Sequence, residues 1–367
     1  MTLRGAGRRE IVANTHSADE LVELASGIDA LYLSGRGELL SETLERFEER
    51  RGCAEQLNLA APVDVGPLTF SIAPYGWGMY RYCLDHPLGR VGATPSAHLP
   101  ALRVQPRSEF IHAVGPTQAV TTFENLLRPL CSELSFGVSR LDVYVDAEGF
   151  PLRADDRERY VCRADARRTY EQSERCSGFD FGSRRGGALT GRIYDKTLDI
   201  TNKGTDWWFD VWGDRHTPGI DVTRVEIEFG RKALTEFHLD SPAQAISAVG
   251  GLWAYATEHW LTHRIPTGDS NRSRWPLSPQ WQVVQKATLH HDTVELERLQ
   301  TRGRAGSLRK LTPGLIGYLV GFAALVGTED ISGTVEALAS HIANGEIARR
   351  TTFAERVRRR RIDGMIA

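Results

Sequence analysis

Alternating polar and apolar residues in three short segments place the strongest constraint on how this chain can fold. The segments are SRLDVYVD at 139–146, TGRIYDK at 190–196 and VTRVEIEFG at 222–230. Because successive side chains of a strand point to opposite faces, each segment is predicted to be a strand with one aliphatic and one polar face. Burying the aliphatic faces under helices turns the polar residues to the open side of the sheet.

If the three strands are neighbours, their polar faces bring arginines, carboxylates and tyrosines together. The set consists of Arg140, Asp142, Tyr144, Asp146, Arg192, Tyr194, Lys196, Arg224, Glu226 and Glu228. Cross-strand ion pairs on a solvated sheet are the simplest interpretation of such a face. However, Asp and Glu are poor strand formers, and an arginine stands beside each acidic cluster, as phosphate binding requires. The pattern leaves both interpretations open.

The same order of predicted elements occurs twice along the chain: strand, helix, three strands, helix. The first copy comprises segments 29–35, 39–52, 68–74, 79–85, 101–106 and 117–130, and the second comprises 139–146, 155–172, 178–184, 190–196, 222–230 and 241–262. We therefore predict an α+β fold of duplicated antiparallel sheet units with helices packed on one face.

Three regions are expected from this organisation. Residues 1–130 form the first repeat and residues 131–265 form the second, which carries the polar strands. A stretch rich in Pro, Ser and Gly at 264–280 marks a boundary. Beyond it, residues 277–367 are predicted to form a helical C-terminal accessory region.

The composition is typical of a cytoplasmic globular protein. The chain has 367 residues, of which 41% are hydrophobic and 25% are charged, and no apolar run is long enough to cross a membrane. The basic start MTLRGAGRRE is not followed by an apolar signal core. The five cysteines form no CxxC pair, which argues against a disulfide framework or a structural zinc site.

Taken in order and spacing, SRLDVYVD, GRIYDK and TRVEIEF resemble the replication initiation factor family. This family comprises rolling-circle plasmid replication initiators and related relaxases of integrative elements, and the resemblance covers about residues 130 to 230. It implies a site-specific DNA nicking and joining enzyme, an endonuclease and strand transferase with a tyrosine nucleophile and a divalent metal. By that resemblance Tyr194 is the nucleophile, and Asp142, Glu226 and Glu228 bind Mg²⁺ or Mn²⁺.

The chemistry of the residues agrees with this interpretation. A phenol has a pKa near 10, so little phenolate exists at neutral pH. Arg192 and Lys196 are expected on the same strand face as Tyr194, where their charges, with a metal nearby, favour the anion. Carboxylate oxygens suit Mg²⁺ or Mn²⁺ better than zinc. The expected product is a 5′-phosphotyrosyl enzyme and a free 3′-OH.

The expected partner is origin DNA, single-stranded or supercoiled, and no membrane. The net charge of −2 lacks the basic excess of many DNA-binding proteins, so local arginines must supply the contacts. The candidates are Arg140, Arg184, Arg185, Arg224, Arg358, Arg359 and Arg360, although the last three also fit a solvated helix end. A host helicase and a homodimer are compatible with this interpretation, and no residue pattern identifies either.

The first copy lacks the residues of this chemistry. Matching YRYCLD at 80–85 to GRIYDK places Cys83 where the second copy has Tyr194, so this half is expected to be structural or to grip DNA. The aromatic cluster TDWWFDVWGD at 205–214 is expected to fill a local core rather than stack on bases. The alternatives are a conjugative relaxase, a DNA-binding protein that has lost catalysis, and an α+β scaffold with an ion-paired sheet.

Overall fold

The computed structural model has the predicted α+β architecture, built on an 11-stranded antiparallel sheet. The structure describes residues 21–183, 188–287, 289, 316, 319–346 and 354. The chain divides into two compact units, Met1–Arg298 and Leu299–Ala367, and the sheet lies in the first. No helix within the described ranges is long and apolar enough to span a bilayer.

The strands of the large sheet follow the order β2-β3-β4-β5-β6-β1-β7-β12-β11-β10-β9. Their bounds are β1 (Val22–Leu39), β2 (Ala61–Val65), β3 (Leu68–Ile72), β4 (Tyr82–His86), β5 (Gly89–Ala93), β6 (Leu102–Pro106), β7 (Cys131–Glu148), β9 (Arg167–Gln172), β10 (Arg175–Phe181), β11 (Leu189–Asp195) and β12 (Val222–Gly230). A separate two-stranded sheet pairs β8 (Tyr160–Cys162) with β13 (Leu261–His263). The predicted hairpins β3–β4 and β10–β11 are confirmed.

Most helices pack against one face of the sheet. Their bounds are α1 (Ser41–Leu57), α2 (Ser108–Val114), α3 (Pro116–Leu127), α4 (Lys196–Lys203), α5 (Trp207–Trp212), α6 (Arg231–Glu236), α7 (Pro242–Ser247), α8 (Val249–Tyr255), α9 (Pro279–Gln285) and, in the second unit, α10 (Ile331–Glu346). The main core takes side chains from α1, α3 and α6–α9, whereas α4 and α5 supply a smaller core with Tyr144 on the polar face.

The main core confirms the predicted orientation of the aliphatic side chains. Leu141, Val143, Val225, Ile227 and Ile193 alternate with the polar residues, and each is at most 1% exposed. Burial of this size removes each aliphatic side chain from water and stabilises the fold by roughly 1.5–3 kcal/mol. The alternation therefore decides which face of these strands packs on the helices.

Two predicted helices have a different structure. Segment 155–172 contains a 3-10 turn (Ala154–Glu158), β8 and β9 instead of a helix. Its charged residues suit β9 because β9 is an edge strand, where charge discourages pairing with other chains. The two residues between β9 and β10, Ser173 and Glu174, have φ of 51° and 63°, as a tight hairpin turn requires. Segment 241–262 divides into α7, α8, a π-helical turn and β13.

The strand order is symmetrical about the central pair of β1 and β7. Moving outward, β6 corresponds to β12, β5 to β11, β4 to β10 and β3 to β9. The hydrogen-bond register supports the same correspondence. Arg103 of β6 and Arg224 of β12 occupy equivalent positions between the central strand on one side and the next outer strand on the other. The two halves are thus related by strand position, although their helices differ: the second half has no counterpart of α1 and inserts α4 and α5 before β12.

The register corrects the residue that was matched to Tyr194. On β6, Arg103 lies opposite Ser34 of β1 and Gly92 of β5. Gly92 therefore occupies the place that Tyr194 has in the second half. The expectation that Cys83 stands there is wrong, because Cys83 lies on β4, one strand further out. The sequence carries a signal for this match, because GRVGAT at 89–94 shares its first two residues with GRIYDK at 191–196 and places Gly92 opposite Tyr194.

Candidate active site

The three polar strands are neighbours, in the order β7-β12-β11, and their side chains form three cross-strand rows. The rows are Asp142–Glu228–Thr190, Tyr144–Glu226–Arg192 and Asp146–Arg224–Tyr194. The phenol and the carboxylates therefore converge, as a shared site requires. Tyr194 donates a hydrogen bond from its hydroxyl group to Oε2 of Glu226 over 3.0 Å.

Two arginines lie among the three carboxylates of this site. Arg140 donates from Nε to Oδ1 of Asp142 over 2.7 Å, and its Nη2 lies 2.8 Å from Oε2 of Glu228. Arg192 forms an ion pair with Glu226, and its Nη2 lies 3.7 Å from Oδ2 of Asp142. The three carboxylates are buried, so the expectation of an open, solvated face is wrong. Burial is stable here because each carboxylate has a cationic partner.

Asp142 has the most perturbed carboxyl group of the cluster. The pKa of Asp142 is raised to about 7: burial is the largest cause, the nearby Glu226 and Glu228 carboxylates act in the same direction, and Arg140 opposes them. A carboxyl group with this pKa exists in both protonation states near neutral pH. Such a group can donate or accept a proton during a reaction.

The raised pKa of Asp142 predicts how stability depends on pH. Between pH about 4 and about 7 the folded protein holds the Asp142 proton and the unfolded chain does not, so this group's contribution falls as pH rises. We expect the free energy of unfolding of the wild type, minus that of Asp142→Asn, to decrease over this window and to be constant above pH 8. Urea unfolding with EDTA measures both proteins, and parallel curves would contradict the assignment.

Tyr194 is held as a neutral phenol. Its ring is half-buried, and burial together with the Glu226 carboxylate raises the pKa of Tyr194 well above its usual value. Without a metal ion, the charges of Arg192 and Lys196 do not bring the pKa of Tyr194 below its usual value. The expectation that they favour the phenolate with a metal nearby stays a prediction. Glu226 lies instead at the distance at which a general base accepts a proton. In this structure Tyr194 therefore has a candidate general base, Glu226, that can accept its proton.

Lys196 does not continue the strand as the sequence predicted. Asp195 caps α4 by accepting a hydrogen bond from the Leu198 N–H over 2.8 Å, and Lys196 is the first helical residue. The Lys196 ammonium group is buried and lies 3.0 Å from Oδ2 of Asp199. It lies 5.9 Å from the centre of the Tyr194 ring, so it is near the phenol but is paired elsewhere.

Arg224 lies in the interior and not on a DNA-binding surface. Its guanidinium group is bonded to both oxygens of Asp146, over 2.6 and 2.7 Å, and to Oδ1 of Asp29 over 2.9 Å. Its Cζ lies 4.0 Å from the ring centre of Tyr144 and 3.9 Å from that of Trp208. With no exposed surface, Arg224 cannot contact DNA in this structure, which corrects its predicted role.

The aromatic cluster before β12 covers this part of the polar face. Trp208 and Trp212 are buried in the smaller core, which confirms that the cluster fills a local core. Trp212 also donates from Nε1 to Oδ2 of Asp146 over 2.8 Å. Aromatic rings and an indole N–H together seal the Arg224 ion pairs from water, which strengthens them.

Two residues of this network were missed by the sequence analysis. Asp29 begins the first predicted strand and pairs with Arg224, 195 residues later. His112 of α2 lies 2.9 Å through Nε2 from the Tyr144 hydroxyl group, and 2.7 Å through Nδ1 from the Ser108 carbonyl. The pairing of β1 with β7 brings these residues close to the second half. No local sequence pattern predicts that pairing.

The remaining predicted DNA contacts fall elsewhere. Arg184, Arg185, Arg358, Arg359 and Arg360 lie outside the described residues. A cavity of about 440 Å³ opens beside Arg192, with Arg168, Asp180 and Thr190 among its polar lining residues. It gives the partly exposed guanidinium group of Arg192 access to solvent.

The donor atoms of this site suit a divalent metal ion, but their present arrangement does not. Asp142, Glu226 and Glu228 supply carboxylate oxygens, which Mg²⁺ and Mn²⁺ prefer. However, Arg140 and Arg192 occupy those oxygens. Among the residues described, no three His, Cys, Asp or Glu side chains form a group that could hold an ion. No reaction step is therefore assigned to a metal.

Comparison with solved structures finds distant similarity. A rolling-circle replication initiator is among the similar solved structures. This protein, from Geobacillus stearothermophilus, is 16% identical, with a TM-score of 0.44 over 76% of this chain and 100% of its own. No protein-family model and no curated protein matches the chain. A TM-score below 0.5 does not establish a common fold, so the site itself must support any function.

Proposed function

We propose that this chain is a site-specific DNA nicking and joining protein that initiates rolling-circle replication, with Tyr194 as its nucleophile. One observation carries the proposal: the Tyr194 hydroxyl group donates to Glu226 over 3.0 Å, within a cluster of carboxylates and arginines. A nucleophile bonded to a base, with cations beside both, is the arrangement that phosphoryl transfer to a side chain needs.

The reaction proposed for these residues is a direct displacement. The Tyr194 oxygen forms a bond to phosphorus as the bond from phosphorus to the 3′-oxygen breaks. The phenolic proton passes to Glu226, which lies within hydrogen-bond distance. The leaving 3′-oxygen takes a proton from water, which reaches the site through the cavity beside Arg192. Arg192 is 33% exposed and can offset negative charge on the non-bridging oxygens.

The product explains why a tyrosine serves this chemistry better than an activated water. A phosphotyrosine ester at the 5′ end conserves the energy of the broken bond, and the free 3′-OH can be extended by a polymerase. Reversal of the same step reseals the strand without ATP. Origin DNA is the partner that the proposal requires, whereas a host helicase and a homodimer are not needed for it.

Covalent adduct formation tests the proposal. The protein is incubated with labelled single-stranded or supercoiled origin DNA and Mn²⁺, and a band that resists denaturation is sought. We expect an adduct with the wild type and a large loss of its rate with Glu226→Gln, which cannot accept the phenolic proton. Absence of any adduct with either DNA would rule out the proposed chemistry.

We also propose that Mg²⁺ or Mn²⁺ binds at Asp142, Glu226 and Glu228, in competition with the two arginines. A ligand that binds only the folded state raises the unfolding temperature. We therefore expect Mn²⁺ to raise the unfolding temperature of the wild type more than that of Asp142→Asn or Glu226→Gln. Differential scanning fluorimetry without DNA measures this, and equal shifts in all three proteins would exclude these ligands.

A second candidate function follows from the ion pairs themselves. All three carboxylates are paired with guanidinium groups, as in a stable sheet without catalytic activity. The second candidate is therefore a DNA-binding protein that recognises an origin without cutting it. Such a protein would bind origin DNA and form no adduct, which distinguishes it in the same assay. A conjugative relaxase would form the adduct with transfer-origin DNA instead.

A further inference from the structure

An arginine in contact with two aromatic rings occurs at the same place in both halves of the sheet. In the first half, Cζ of Arg103 lies 4.1 Å from the ring centre of Trp77 and 5.3 Å from that of Tyr32. The corresponding arginine of β12 is Arg224, which contacts Trp208 and a tyrosine of β7, two rings that also meet edge to face. Contact of one arginine with a tryptophan and a tyrosine is thus a shared feature of the two halves.

The two arginines differ in their counter-charges. In the row of Arg224, the β7 residue is Asp146, whereas in the row of Arg103 the β1 residue is Ser34. The described contacts of the Arg103 guanidinium group are with the two rings, and no described carboxylate is ion-paired with it. Arg103 is also half-buried rather than fully buried. Among the described residues of the first half, the positive charge of Arg103 therefore has no ion-pair partner.

Arg103 and its two rings belong to a longer series on the same sheet face. Cζ of Arg90 lies 5.6 Å from the centre of the Trp77 ring, and Cζ of Arg140 lies 4.9 Å from that of Tyr32. Arginines and aromatic rings thus alternate as Arg90, Trp77, Arg103, Tyr32 and Arg140, which we name the aromatic–arginine track. It crosses β5, β6, β1 and β7, roughly 14 Å at about 4.8 Å per strand.

The track ends at the candidate active site and begins at an exposed apolar loop. Arg140 is the residue that holds Asp142 and Glu228, so it belongs to both the track and the site. At the other end, the loop between β3 and β4 carries Trp77 and exposes Tyr75 and Met79 by 69% and 75%. Tyr75 and Met79 lie in the same loop as Trp77, so their exposed apolar surface adjoins the arginines of the track.

We propose that the aromatic–arginine track binds the single-stranded DNA that adjoins the nick, a proposal that rests on the function proposed above. Bases stack on Trp77 and Tyr32, and phosphates pair with Arg103. Arg90 is held by Asp85 over 3.2 Å and lies at the outer end of the track. Unpaired bases present their faces for stacking, whereas bases in a duplex are already stacked on each other. The track therefore holds an unpaired strand, and the half without a tyrosine nucleophile serves as its DNA-gripping surface.

Binding measurements on the full chain test the track. Fluorescence anisotropy compares a labelled single-stranded oligonucleotide with the same sequence as a duplex, at two salt concentrations. We expect Trp77→Leu to weaken single-strand binding about tenfold and to leave duplex binding unchanged. Arg103→Gln is expected to weaken binding of the single strand and to reduce its salt dependence by about one phosphate contact. Equal weakening of single-strand and duplex binding would overturn the proposal.

A matched control lies away from the sheet face. Trp275 is half-buried, and Cζ of Arg272 lies 5.5 Å from its ring centre, so this pair resembles one step of the track. Trp275→Leu should leave single-strand binding unchanged. If the Trp77→Leu variant does not fold, the binding measurement on it is replaced by photo-crosslinking of bromodeoxyuridine-containing single-stranded DNA to the wild-type protein. Crosslinks at Trp77 or Tyr32 support the track, and crosslinks confined to other residues overturn it.

The failure of this proposal can be distinguished from failure of the proposed function. If Trp77→Leu and Arg103→Gln bind the single strand like the wild type while the wild type still forms the adduct, the track is excluded and the nicking function stands. If the two variants lose single-strand binding and the wild type forms no adduct, the track stands as a binding site without catalysis.

Discussion

Tyr194→Phe is expected to abolish the covalent adduct with DNA and to reduce nicking by about a thousandfold or more. The substitution removes the only atom that can form the proposed bond to phosphorus. It also removes the donor to Glu226, so the proton that the base accepts is lost with the nucleophile. The measurement is the same denaturing adduct assay, with DNA binding followed separately by anisotropy.

The fold and DNA binding should survive this change. Tyr194 is half-buried, and Phe keeps its ring, so the cost is one hydrogen bond, about 1 kcal/mol. Tyr170→Phe is a matched control, because Tyr170 donates to Oδ2 of Asp180 on the neighbouring strand over 2.7 Å. This variant loses a similar hydrogen bond and should keep adduct formation. An adduct with the Tyr194 variant would place the nucleophile at another residue.

Arg224→Met is expected to cause the largest loss of stability, about 3–5 kcal/mol in the free energy of unfolding. The guanidinium group is fully buried and is the shared partner of Asp146 and Asp29. Its removal leaves two carboxylates without their cation and separates the rings of Tyr144 and Trp208 from their common neighbour. Urea unfolding, followed by tryptophan fluorescence, measures the loss.

Two further variants show whether charge is the cause. Adding Asp146→Asn to Arg224→Met should restore part of the stability, because a neutral amide is less costly to bury than an unpaired carboxylate. Arg81→Ala breaks an exposed pair with Glu48, in which Nε and Nη2 both contact the carboxylate, and should change stability little. If the Arg81 variant lost as much stability as the Arg224 variant, burial would not explain the effect.

The sequence was most informative where structure depends on near neighbours along the chain. The alternation in 139–146 and 222–230 correctly identified two strands and the side chains that enter the core. The hairpin on either side of 184–187 was likewise predictable, because turn residues separate two strand-forming segments. These features follow from the two-residue period of a strand, which any short segment carries in itself.

The sequence predicted which residues meet at the candidate site, but not how their side chains are paired or buried. Asp142, Glu226 and Tyr194 are together because their strands are neighbours, which their shared pattern suggested. The pairing of Arg140 with two carboxylates, and the position of Lys196 at the start of a helix, did not follow from the pattern. Both depend on side-chain geometry that alternation leaves undefined.

By itself, the sequence determined the two-faced strands, the α+β class and the gathering of carboxylates with a tyrosine. Only the tertiary structure decided that the polar face is covered and that Arg224 is buried in an ion pair with Asp29 from the other half. The physical reason is that face alternation is set locally by backbone geometry. Burial and pairing are set by which distant segments pack together, and only the folded chain brings those segments into contact.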